Sequence, residues 1–216
     1  MERTSGAAGK TRAPPFAILG LPHGPEASVV IVPEFRRFRE EGIIIGRLLA
    51  GYGSLESALS SCVAMARNDI DMVLKAMFRT RGETQRVEIA DAMRRPVFRA
   101  IGLENMFSET IGDMRYCLKI RNQFSHCQWH DDGSGNLCFV DMEEIAKSSA
   151  VITDLRGLTF HYVELALLIL HEAYFIYTAD CLLYLNYEGR LRAGTIASHE
   201  RSRPRKVTRP PLHILH

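Results

Sequence analysis

The stretch LENMFSETIGDMRYCLKIRNQFSH, residues 103–126, decides how the rest of the chain is read. Phe107, Ile111, Met114 and Leu118 step by four, three and four, drawing one apolar stripe down a helix of about 3.6 residues per turn. Carried on by the same rule, the stripe reaches Arg121 and Ser125. The face that should meet a core therefore turns polar in its last two turns, with Asn122 and His126 beside it. At 100° per residue these four side chains span about 140° of arc and are expected to converge on one volume. A guanidinium there needs a partner or a cleft, because isolated buried charge is strongly disfavoured.

Working outward, the same periodicity recurs on both sides. Phe35, Phe38, Ile45, Leu48 and Leu49 predict a helix from about Pro33 that stops at Gly51-Tyr52-Gly53. Ser54 is a good N-cap for a second helix to about Phe78, carrying Leu55, Leu59, Cys62, Met65, Ala66, Ile70, Val73, Leu74 and Met77. A third helix from about Glu83 is expected to break or kink near Pro96 and to end at Gly102. After the 103–126 helix, Trp129 to Val140 predicts a β-hairpin around a glycine-containing turn, and residues 141–147 a helical turn. A long last helix is predicted from about Asp154 to Tyr187, closed by Gly189. The expected fold is all-α: an antiparallel bundle of four to five helices over residues 34–188, with one small β-hairpin after the fourth helix.

Composition agrees with a soluble globular domain: 216 residues, 46% apolar and 24% charged, which excludes collagen-like, low-complexity and wholly disordered chains. Five cysteines without CxxC spacing, and no apolar signal region in the first thirty residues, predict a reduced, cytoplasmic protein. The most apolar segment, Leu158 to Tyr187, is interrupted by His161, Glu164, His171, Glu172 and Asp180 and is expected to be a core helix, with no membrane partner. Residues 1–33, with five prolines, are expected to be a disordered leader; Gly9-Lys10-Thr11 within it lacks the upstream glycine and the strand of a phosphate-binding loop. Residues 189–216 carry seven Arg or Lys against Glu200 alone, a net +6 inside an overall +2. With Pro204, Pro210 and Pro211 and no periodicity, they are expected to be a disordered basic tail suited to a polyanion or to solubility alone.

A fixed arginine binds phosphate through two parallel hydrogen bonds, and an imidazole moves protons near neutral pH. Those two abilities suffice for RNA cleavage with neither metal nor cofactor. His126 would take the 2′-hydroxyl proton, Arg121 would stabilise charge growing on the phosphate oxygens, and Asn122 would orient phosphate or imidazole. Arg121-Asn122-Gln123-Phe124-Ser125-His126, late in a bundle helix, resembles the Arg-polar-x-x-x-His motif of the HEPN superfamily (higher eukaryotes and prokaryotes nucleotide-binding). That resemblance implies an all-α bundle, a homodimer whose two motifs face each other, and a metal-independent endoribonuclease of toxin–antitoxin or phage-defence systems, with RNA and an antitoxin as partners. It places Arg121, Asn122 and His126 at the catalytic positions. Looser Arg-to-His spacings occur at Arg156 to His161, Arg192 to His199 and Arg209 to His216; among these pairs and Arg121 to His126, only Arg121 is followed by Asn on a core-facing helix position.

The alternative from another class is a non-catalytic interaction module that binds protein or RNA, in which the polar cluster is structural and His126 ends a helix whose C-terminal dipole favours a cation. His126, Cys127, His130 and Cys138 lack the paired spacing of structural zinc. His161, Glu164 and His171 are expected on one polar stripe of the last helix. Arg79, Arg81, Arg86, Arg94, Arg95 and Arg99 stand among Glu83, Glu88 and Asp91, which predicts ordinary helix ion pairs.

Overall fold

The computed structural model describes residues 31–65, 69–147 and 158–213. The expected leader therefore lies almost wholly outside the described residues, as does the predicted start of the last helix near Asp154. Contacts group residues from Glu34 onward into one compact unit.

A 3-10 turn at Pro33–Arg36 leads into α1 (Arg39–Ala64), followed by α2 (Ile70–Phe78), α3 (Glu83–Ala100) and α4 (Glu104–Ser125). Strands β1 (Cys127–Asp131) and β2 (Leu137–Asp141), the short helix α5 (Met142–Lys147), strand β3 (His161–Tyr162) and α6 (Leu165–Arg192) complete the order. The protein is mostly helical, with a small antiparallel sheet in the order β1-β2-β3. α1 lies chiefly against α6, α3 against α4, and α4 against both α6 and α1. Between them sits the core: Ile45, Leu48 and Leu59 of α1, Phe98 of α3, Phe107, Ile111 and Met114 of α4, and Tyr174 of α6. Phe98 and Phe107 stack at 4.4 Å.

The first helix does not stop at Gly51-Tyr52-Gly53; it runs through. Ile45, Leu48, Tyr52, Leu55, Leu59 and Cys62 are all buried, so the core-facing stripe crosses the two glycines without losing phase. Each glycine costs a helix about 1 kcal/mol, while each large apolar side chain gains about 1.5–3 kcal/mol on burial, so tertiary packing overrides the local stop. The break comes later: Asp69 caps α2 by accepting a 3.0 Å hydrogen bond from the Met72 amide. α3 likewise continues through Pro96. Ala92 and Pro96 both lie on its exposed side, where water can take the bond that the ring forgoes. Gly102, at φ +72°, ends the segment as predicted.

The hairpin forms with Trp129 opposite Phe139 and Cys127 opposite Asp141. β3 adds a third strand that the sequence reading placed inside the last helix, pairing Phe139 with His161. α6 therefore starts at Leu165, and His161 does not share its face with His171. Gly189 does not end α6 either. It is buried inside the helix where a Cβ would collide with the Met65 thioether, and the left-handed residue that follows the helix is Gly194, at φ +72°. By length and composition α6 is long and apolar enough to cross a membrane; 39% of its most apolar window is buried here against its neighbours.

Residues 189–213 do not behave as the disordered tail expected of residues 189–216: 189–192 close α6, and the rest is held by contacts. Arg192 donates to the Ile101 and Gly102 carbonyls, His199 pairs with Glu188 at 3.0 Å, and Arg201 lies over the Tyr187 ring. Further on, Arg209 to His213 are hydrogen-bonded to α4 and α6, and Pro210 and His213 are buried. A composition too polar to build its own core is ordered here by the core of another element.

Candidate functional site

The last turn of α4 divides the six motif residues between two sides. Phe124 is buried against Trp129 and Phe139 of the hairpin, at ring distances of 6.1 and 5.9 Å. Ile120 above it is fully buried as well. The core-facing stripe thus continues through Ile120 and Phe124 and leaves Arg121 and Ser125 half-buried at its edge, with Asn122 and His126 exposed.

Arg121 donates to the Asn122 side-chain oxygen at 3.1 Å and stands 3.6 Å from Glu83 at the start of α3. Its charge also reaches Tyr52, whose buried hydroxyl has no hydrogen-bond partner. Burial, with Glu56 and Glu83, pushes that phenol well above its ordinary range. Ser125 donates back to the Asn122 carbonyl at 3.1 Å. His126, with a side chain 56% exposed, faces Glu143 of α5 across 3.6 Å. The structure therefore joins Arg121, Asn122 and Ser125 through hydrogen bonds and sets His126 on the same helix end with a different partner. Arg121 and His126 each stand 3.6 Å from a carboxylate, longer than a hydrogen bond.

The four zinc candidates do not assemble. Among the described residues no three His, Cys, Asp or Glu side chains are placed to hold a metal ion. Cys127 donates to the Gln123 carbonyl at 2.6 Å, and burial pushes its thiol up to about 12. Cys138 donates to the His130 carbonyl, and its thiol is raised by burial too. A metal ligand must be a thiolate, which both environments oppose. Of the arginines of α3, Arg95 forms the expected pair within its helix, with Asp91 at 2.7 Å; Arg86 instead reaches the buried Glu56 of α1 at 3.1 Å and Arg99 reaches Glu104 of α4. Arg94 is buried and donates to the Val63 carbonyl near the end of α1.

A second polar cluster escaped the sequence reading. His161 of β3, His171 of α6 and His213 near the C-terminus are each at most 6% exposed and gather around Phe124 and Phe139. His171 and His213 stand 5.3 Å apart, ring to ring. Both ring nitrogens of His213, and one each of His161 and His171, lack hydrogen-bond partners. Burial lowers His171, and burial with the two neighbouring imidazoles lowers His213 to about 4. Three residues from three distant segments meet here, and only tertiary structure reveals them.

Compared with protein-family models, with characterised proteins and with solved structures, the chain matches none.

Proposed function

We propose that this chain is a metal-independent endoribonuclease of the HEPN type, an antiparallel helical bundle that works as a homodimer through Arg121, Asn122 and His126. His126 takes the 2′-hydroxyl proton, Arg121 holds the phosphate and the charge that grows on it, and Asn122 orients the guanidinium or the phosphate. The observation that carries this reading is the open end of α4: an imidazole 56% exposed, five residues from a guanidinium already hydrogen-bonded to Asn122. DNA lacks the 2′-hydroxyl and is not a substrate for this route. The toxin–antitoxin or phage-defence setting, with an antitoxin as partner, belongs to the resemblance alone.

The test is cleavage of a mixed-sequence labelled RNA in excess chelator, beside His126→Ala and Arg121→Ala. The parent is expected to leave 2′,3′-cyclic phosphate ends, and each variant to lose about 10²–10⁴-fold in rate while keeping its helical circular dichroism. Equal cutting by parent and variants, or an inert parent at every RNA and protein concentration, overturns the reading. One observation favours the non-catalytic interaction module instead: Glu83 and Glu143 stand beside Arg121 and His126, as they would in a structural charge cluster. An inert parent that still shifts RNA or retains a protein partner supports that second reading.

A further inference from the structure

Residues 209–213 lie along a groove between α4 and α6. Arg209 donates to Asp113 at 3.0 Å and to the Tyr174 hydroxyl at 3.2 Å, while its guanidinium covers the Tyr116 ring at 5.4 Å. The Tyr116 hydroxyl donates to the Pro210 carbonyl at 2.6 Å, and His171 Nε2 to the Pro211 carbonyl at 2.7 Å. At His213 the side-chain amide of Gln123 meets both main-chain groups: Nε2 donates to the carbonyl at 3.0 Å and Oε1 accepts from the amide at 3.3 Å.

At the three residues whose main chain it contacts, Pro210, Pro211 and His213, the groove presents groups that suit the backbone. A proline has a carbonyl and no N–H, and at both prolines the groove presents a lone donor. At the first contacted position with both main-chain groups, the groove presents a carboxamide, which has both as well. Arg209 and Pro210 each precede a proline, which holds their backbones extended before any contact forms. A preformed extended segment whose carbonyls are read by aromatic-lined donors is the way proline-rich peptides are recognised generally. The arginine supplies the selective end, because Asp113 is buried and Arg209 is the cation that meets it. Residues 205–208, which lead to the segment, are exposed.

We propose that the α4/α6 groove is a recognition site for an extended Arg-Pro-Pro peptide, filled in cis by residues 209–213 and open to the same segment of a second copy of this chain in trans. The site is independent of whether RNA is cut. A cis segment on a short tether competes at an effective concentration of about millimolar, so a free peptide meets a mostly filled groove in the parent. Weakening the cis copy alone opens it.

The probe is a fluorescein-labelled peptide of residues 205–213, titrated by anisotropy onto the full chain carrying Arg209→Glu, whose groove residues are intact. Binding at least about 10-fold tighter than to the parent is expected, since the parent's apparent affinity is reduced by the fraction of free groove. Adding Gln123→Ala to that chain, or Arg209→Glu to the peptide, is expected to weaken binding about 5-fold or more. If Arg209→Glu loses its helical circular dichroism, Pro211→Gly, which loosens the extended segment without placing a carboxylate beside Asp113, takes its place with the same criteria. No binding to the opened chain up to about 1 mM, or binding indifferent to Gln123→Ala and to the peptide's arginine, overturns the proposal.

Discussion

Arg121 and Glu83 pose a question that one substitution answers. Their side chains are 26% and 34% exposed and 3.6 Å apart, so water screens the pair and its contribution to stability is under about 1 kcal/mol. If the guanidinium serves a phosphate, Glu83 competes for it. Glu83→Gln is then expected to leave the urea midpoint nearly unchanged while tightening RNA binding about 2–5-fold, the equivalent of about 0.5–1 kcal/mol. A clear loss of stability without any change in RNA affinity would assign the pair to the interaction-module reading. Spacing alone puts Arg121 and Asn122 on one helix end, and a hydrogen bond joins their side chains. Spacing gives no sign of Glu83 or Glu143, which approach from other helices. Local spacing encodes which groups share a helix end; which carboxylates reach them depends on packing between helices.

At the scale of elements, hydrophobic phase decides where a helix runs, and punctuation residues do not override it. α4 and the hairpin follow from their patterns. Gly51, Gly53 and Gly189 have the local character of helix stops, yet all three lie inside helices. Two opposite effects follow. At Gly53 nothing lies within 4 Å of where a Cβ would stand, so Gly53→Ala is expected to raise stability by about 0.5–1 kcal/mol. Had that glycine been a left-handed cap, the same change would destabilise, so the sign of the shift in urea midpoint tests the continuous helix. At Gly189 a Cβ alone would meet the Met65 sulfur at 2.6 Å and Phe98 at 3.4 Å, and Gly189→Val is expected to cost about 1–3 kcal/mol by overpacking. β3 was invisible for a different reason: two residues are too few to show alternation, and only pairing with Phe139 and Cys138 makes them a strand.

Over the whole molecule, the C-terminal segment joins elements that the sequence presents as unrelated, and its histidine is expected to make that junction sensitive to acid. His213 is packed against Gln123 and Phe124 of α4, Phe139 of β2 and His171 of α6; His161 of β3, which pairs with Glu144 of α5, is the other titratable group near it. Among the described residues, none of its direct neighbours is a carboxylate that would welcome a proton. Burial foremost, then His171 and His161, lowers it to about 4, against about 6.5 in an unfolded chain. Between those values the unfolded state binds the proton and the folded state does not, so stability falls as pH falls through that window and is complete above it. The shift corresponds to about 3 kcal/mol, with His171 displaced in the same direction. Urea unfolding at pH 7.5, 6 and 5 is therefore expected to show a falling midpoint in the parent, and a markedly shallower fall in His213→Phe, which keeps the aromatic contact and removes the titrating group. Trp129, the single tryptophan, lies against Phe124 and Phe139 and gives a direct signal from this region. A parent midpoint that is flat over this range, or a His213→Phe variant that falls as steeply, would place the tail histidine in contact with water and remove it from the junction between α4, α6 and the sheet.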